Sequence, residues 1–138
     1  MLPSRMRVEE FTTPDPVTVV ETTPIGELRE LMDQHGVRHL PVRRDGEVVG
    51  VISERDVRLV QGLSLDEQLQ IRAQDLMADD LFVVHASTLL DEVAMEMVSR
   101  RVGSAIVRDE DGDFLGIFTL TDALNALVEV VRNESRNW

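Results

Sequence analysis

The chain contains no cysteine and no lysine, and none of its apolar runs approaches the roughly 20 residues that a membrane-spanning helix requires. Without cysteine, disulfide scaffolds, thiol catalysis and cysteine zinc sites are excluded. The 14 basic residues, all arginine, face 26 acidic ones, and the resulting net charge of −12 sets up an average field that repels nucleic-acid phosphates. The first ten residues carry arginines with no apolar stretch behind them, so no secretory leader is expected. There is no Gly-x-Ser-x-Gly elbow, no phosphate loop ending in Gly-Lys-Ser/Thr, no Gly-x-Gly-x-x-Gly fingerprint and no His-Glu-x-x-His. These absences lead us to expect a cytoplasmic protein that is no enzyme, spans no membrane and binds no nucleic acid. What is present suits a folded body: 138 residues, 43% of them hydrophobic, can bury a core without staples.

The chain repeats itself. Val42-Arg43-Arg44-Asp45-Gly46-Glu47-Val48-Val49-Gly50-Val51-Ile52-Ser53-Glu54-Arg55-Asp56 is answered by Val107 to Asp122, with Asp122 lying 66 positions after Asp56. Upstream, Thr23-Pro24-Ile25-Gly26-Glu27-Leu28 matches Thr88-Leu89-Leu90-Asp91-Glu92-Val93 at an offset of 65, so one residue has been inserted in the turn before Gly112, where a surface loop tolerates it. We divide the chain into an N-terminal segment 1–6, a first repeat 7–61, a linker 62–71 that includes most of Gln61–Gln68, a second repeat 72–127 and a C-terminal helix extension 128–138.

Each repeat reads as β-α-β-β-α, which makes the fold class α/β in the broad sense, or α+β. The β-branched run Val17–Val20 and its counterpart Leu81–Val84 predict short strands. Thr23 and Thr88 are expected to cap the next helices, with Pro24 at the first helical position and apolar residues at Ile25, Leu28, Leu31 and Met32, and at Leu90, Val93, Ala94, Met97 and Val98. Gly36 is expected to end the first helix. Two β runs then flank a tight turn at Asp45-Gly46, and again at Asp111-Gly112. Ser53 and Thr119 cap the closing helices, with Asp56 and Asp122 in the first turn, where an acid favours the helix dipole.

The doubled unit ending in Gly-x-x-Ser/Thr-x-x-Asp, with Arg38-His39-Leu40-Pro41-Val42 ahead of it in the first copy, resembles a tandem pair of cystathionine-β-synthase (CBS) domains, the Bateman module. The resemblance covers nearly the whole chain. It implies two repeats packed with pseudo-twofold symmetry, and a ligand-sensing regulatory role exerted in trans on a partner, with AMP, ADP or ATP as the expected ligand. A nucleotide needs an apolar slot, an acceptor for its ribose hydroxyls and donors for its phosphates. The pairs Ser53 with Asp56 and Thr119 with Asp122 offer a carboxylate for the hydroxyls and a capped helix start for the phosphates.

In proteins similar to this one the Asp of one repeat works with the first strand of the other. That places Thr12 and Val17 opposite Asp122, and Met77 and Phe82 opposite Asp56. The two clefts differ: the first repeat carries Arg38 and His39 before its central strand, where the second has Gly103 and Ser104. Those cations favour the Val17/Asp122 cleft, while Arg100 and Arg101 are available to the other. The resemblance further implies a homodimer, for which the faces Ile25-Leu28-Met32 and Leu90-Val93-Met97 are the expected surface. The tail ending in Trp138 is a second candidate contact.

Two rivals remain at this point: an interaction protein with vestigial clefts, and a sensor of S-adenosylmethionine or a dinucleotide. Metal binding is not expected. His35 and His39 have helical ligand spacing, but Gly36 and Leu40-Pro41 interrupt the helix between them. Asp109–Asp113 has the composition of a calcium loop without its length or terminal Glu, and reads as a solvated hairpin.

Overall fold

The computed structural model describes residues 6–136, with side chains for 6–133. In chain order it comprises a 3-10 turn at Val8–Glu10, β1 (Thr13–Pro14), β2 (Val19–Val20), α1 (Ile25–His35), β3 (His39–Arg44), β4 (Glu47–Ser53) and α2 (Glu54–Leu59). After a second 3-10 turn at Val60–Gly62 come α3 (Leu65–Gln68), α4 (Ala73–Leu76), β5 (Val83–His85), α5 (Leu90–Arg100), β6 (Ser104–Arg108), β7 (Phe114–Thr119) and α6 (Leu120–Arg136). The elements fall into two compact units: Pro16–Leu81, and the segment ending at Asp15 together with the chain from Phe82 onward. Each unit therefore borrows the leading segment of the opposite repeat.

In the unit of residues 16–81 the sheet order is β2-β3-β4, with β2 parallel to β3 (Val19 beside Val42) and β3 antiparallel to β4. The strands are joined at Asp45 and Gly46, which both have positive φ, 51° and 81°, the backbone that a two-residue hairpin demands. The core consists of Val19, Ile25, Leu28, Met32, Leu40, Val42, Ile52, Val57 and Ala73. The segment expected to be a linker is folded. Ser64 caps α3 through a reciprocal bond pair with Glu67, and Gln68 Oε1 accepts from Arg29 at 2.7 Å.

The other unit orders its sheet β1-β7-β6-β5, again with one parallel pair (Val83 beside Ile106) and one antiparallel hairpin. Its core is Val8, Ala86, Val93, Met97, Ala105, Val107 and Phe118. The inserted residue makes its turn a different one: Asp109 Oδ1 accepts from the Asp111 and Asp113 amides at 2.9 and 3.0 Å, and only Gly112 there has positive φ.

The starts of α1 and α5 depart from expectation. Thr23 and Thr88 lie one residue outside the helices, and Pro24 and Leu89 stand at the cap positions with extended backbones and no side-chain cap. The first helical amides are satisfied from a distance, Ile25 N by the Ile71 carbonyl at 3.2 Å and Leu90 N by the Met6 carbonyl at 2.8 Å. Thr23 and Thr88 instead turn their own carbonyls to the amides of Ala73 and Val8. Residues brought in by tertiary structure have replaced the local caps.

The faces expected to pair two copies are interior. Ile25, Leu28 and Met32 retain at most 5% of their surface, and Val93 and Met97 at most 3%, so these residues form the cores of their units, with Leu90 half-buried against the second. The apolar residues left exposed lie elsewhere, most of all along α6. Trp138 lies outside the described residues. Among those described, no helix is long and apolar enough to cross a membrane.

Candidate functional site

The repeated glycine of the sequence motif determines how close the borrowed segments come. Gly50 in β4 and Gly116 in β7 are equivalent positions, and each lies under a crossing segment. A β-carbon on Gly50 would meet Met77, and one on Gly116 would run into the Thr13 carbonyl and come within 2.9 Å of Thr12 Cγ2. With no side chain in the way, Ala78 pairs with Val51 through mutual backbone bonds of 3.1 and 3.0 Å, and Thr13 pairs with Ile117. Three residues on from the glycine, each strand ends in the hydroxyl residue that starts the closing helix.

In the unit of residues 16–81 this residue is Ser53. Its amide and hydroxyl both donate to Asp56 Oδ2 at 2.9 Å, and the Asp56 amide donates back to Ser53 Oγ at 3.2 Å, forming a closed capping box. The other oxygen, Asp56 Oδ1, has no hydrogen-bond donor among the described residues. Around the pair stand Arg38, whose carbonyl accepts from Glu54 N at 2.8 Å and whose guanidinium lies 3.5 Å from the Glu54 carboxylate, and His39, opposite Ser53 in the β3–β4 register. Val17 packs half-buried against the core of this same unit, as does Met77.

In the other unit, Thr119 N and Oγ1 donate to Asp122 Oδ2 at 2.8 and 3.1 Å, and the Asp122 amide returns a bond of 3.4 Å. Here the second oxygen is engaged, with Thr13 Oγ1 donating to Asp122 Oδ1 at 3.2 Å. Thr12, the residue singled out from the sequence, is buried and turns its hydroxyl to the Val8 carbonyl at 2.7 Å. Thr13 was therefore missed. Its only signal was adjacency, because successive residues of an extended segment face opposite sides. Phe82 also belongs to this unit, with Arg100 lying 4.7 Å over its ring and bonded to Glu96. Arg101 occupies the left-handed cap of α5.

The structure thus brings Ser53, Asp56, Met77, Val17, Arg38 and His39 into one unit, and Thr119, Asp122, Thr12 and Phe82 into the other. The histidines have other surroundings: His35 ends α1 ahead of left-handed Gly36, and His85 Nδ1 lies 2.8 Å from Ser87 Oγ. The carboxylates of Asp109, Asp111 and Asp113 lie within 4.8 Å of one another, but Asp109 is committed to shaping its turn.

Two copies of the family model described as the CBS domain match residues 8–61 and 73–129. Inosine-5′-monophosphate dehydrogenase of Escherichia coli is 30% identical over 115 residues, which is 83% of this chain and 23% of that protein; the chain spans about a quarter of the length of such relatives. Among solved structures, CBSX2 in complex with AMP is 27% identical with a TM-score of 0.76, over 91% of this chain and 98% of that one. An uncharacterised conserved protein from Pyrococcus horikoshii is 29% identical with a TM-score of 0.78, over 91% and 94%.

Proposed function

The chain belongs to the CBS-domain family as a tandem pair, and on that premise we propose that it binds an adenine nucleotide (AMP, ADP or ATP) at its Ser53/Asp56 and Thr119/Asp122 pairs and signals occupancy to a partner protein. The observation that carries this reading is the duplicated box itself. Twice, the amide and hydroxyl of one cap residue together hold a half-buried Asp carboxylate, on a fold whose relative CBSX2 was solved with AMP. A carboxylate fixed in this way is an acceptor preorganised for vicinal hydroxyls, and the ordering cost that binding would otherwise incur is already met. Arg38 and Arg55 give the Asp56 unit cations near that carboxylate's helix, which matters when the net charge is −12. A signal requires a ligand with different affinities for two states of the chain or of its assembly.

Self-association, in this reading, belongs to α6. Leu120, Leu124, Leu127 and Val131 are each more than half exposed, and their 4-3-4 spacing is that of a coiled-coil seam. Asp122 and Glu129 fall on the opposite side of the helix, so two strongly acidic chains could meet along an uncharged strip.

Thermal unfolding of the protein with and without AMP, ADP, ATP and S-adenosylmethionine tests the ligand reading. Ligand at about 100 times its Kd adds roughly 2.7 kcal/mol, a shift of several degrees for a chain of this size. The expected result is a shift with an adenine nucleotide that Asp56→Ala or Asp122→Ala reduces and the two together remove. A shift with S-adenosylmethionine alone would redirect the reading to that ligand, and none with any of the four would favour an interaction protein with unused sites.

A further inference from the structure

The two boxes differ in one hydrogen bond, and the difference is written into the sequence. Thr13 stands opposite Ile117 and Ala78 opposite Val51, which makes Ala78 the counterpart of Thr13. One borrowed segment therefore carries a hydroxyl that reaches its carboxylate, and at the equivalent position the other carries only a methyl group. A carboxylate oxygen accepts about two hydrogen bonds. On both Asp residues Oδ2 is filled by the amide and hydroxyl of the cap. On Asp56, Oδ1 retains both places, enough for the two hydroxyls of a ribose. On Asp122, Oδ1 retains one, because Thr13 holds the other at 3.2 Å. Thr13 cannot easily swing aside as a loop residue would: β1 pairs it with β7, the Thr12 hydroxyl ties the segment to Val8, and Asp15 N bonds to the Leu115 carbonyl at 3.2 Å.

We propose that Thr13 is a built-in competitor for the ribose diol at Asp122, so that the Asp56 site fills first and the Asp122 site fills only as the Thr13 hydroxyl is displaced. This rests on the nucleotide reading given above. It assigns Thr13 as a residue that sets the order of filling of the two sites, and so widens the range of nucleotide concentration over which the chain responds.

The experiment is calorimetric titration with AMP on the full chain, using Asp56→Asn or Asp122→Asn to leave one site at a time. The Asn variants keep a side-chain oxygen for the cap amide, and each variant's unligated unfolding midpoint serves as a check on its fold. In the Asp56→Asn chain, Thr13→Val is expected to tighten AMP about tenfold, the worth of one hydrogen bond to a charged group, while Thr13→Ser leaves affinity where it was. In the Asp122→Asn chain, neither Thr13 change moves the affinity. Unchanged or weaker binding on Thr13→Val in the Asp56→Asn chain would overturn the competitor role while leaving the nucleotide reading intact. So would a wild-type high-affinity site that survives Asp56→Asn. Absence of AMP binding in the wild type and in every variant would remove the nucleotide reading and this inference together.

Discussion

Met77 lies against Gly50 so closely that a β-carbon there would stand 2.6 Å from Met77 Sδ and 2.9 Å from its Cβ and Cγ. At the equivalent Gly116 the obstacle is the Thr13 backbone carbonyl. The same substitution should therefore cost different amounts at the two positions. A thioether side chain can repack, whereas a paired backbone cannot without giving up its register.

We expect Gly50→Ala to lower unfolding stability by about 1–2 kcal/mol and Gly116→Ala by about 3 kcal/mol or more, with β1 detached from β7. Urea unfolding gives the ranking, and hydrogen exchange at Ile117 reports the detachment. Equal costs, or the reverse order, would show that the crossing segments are not held as described.

The helix ends α1 and α5 make an internal comparison. Both close in the left-handed region, on Gly36 at φ 61° and on Arg101 at φ 58°. Arg101→Gly should stabilise the chain by up to about 1 kcal/mol, because relief of the left-handed strain exceeds the added chain entropy. Gly36→Ala should destabilise it by about 1 kcal/mol, and chemical denaturation of the two variants should show opposite signs.

Removing a capping hydroxyl exposes what the box contributes without ligand. Ser53→Ala and Thr119→Val should each cost about 1 kcal/mol, and Ser53→Thr much less, since the hydroxyl is the acceptor for the third amide of the helix. Equilibrium unfolding would decide it: losses no larger than that of an exposed control such as Arg55→Ala would remove the structural role of the boxes.

The α6 seam predicts self-association that strengthens with salt, because ions screen the repulsion between two chains of charge −12. Leu124→Glu or Leu127→Glu should dissociate the dimer, as read by sedimentation equilibrium. Either should change the stability of one chain by within about 0.5 kcal/mol, since both positions are exposed. A wild type that stays monomeric at high concentration and high salt would sink the proposal.

The local features were legible in the amino-acid order because their causes are local. The Asp45-Gly46 turn follows from two residues that tolerate positive φ, the Ser53 and Thr119 boxes from a hydroxyl three residues before an acid, and the end of α1 from Gly36. Repetition of these signals marked the β-α-β-β-α order of each repeat, while β1, α3 and α4 went unread. Periodicity also marked Leu28, Met32, Val93 and Met97 as one face of each helix, but a period says only that a face is apolar and not what covers it. Packing made those faces core, and left the stripe on α6 uncovered. Tertiary structure alone decided which leading segment joined which sheet, because the pairing of Thr13 with Ile117 and of Ala78 with Val51 joins residues far apart in sequence. The same long-range pairing supplied the Ile71 and Met6 carbonyls that start α1 and α5, and it brought the hydroxyl of Thr13, rather than that of Thr12, to Asp122.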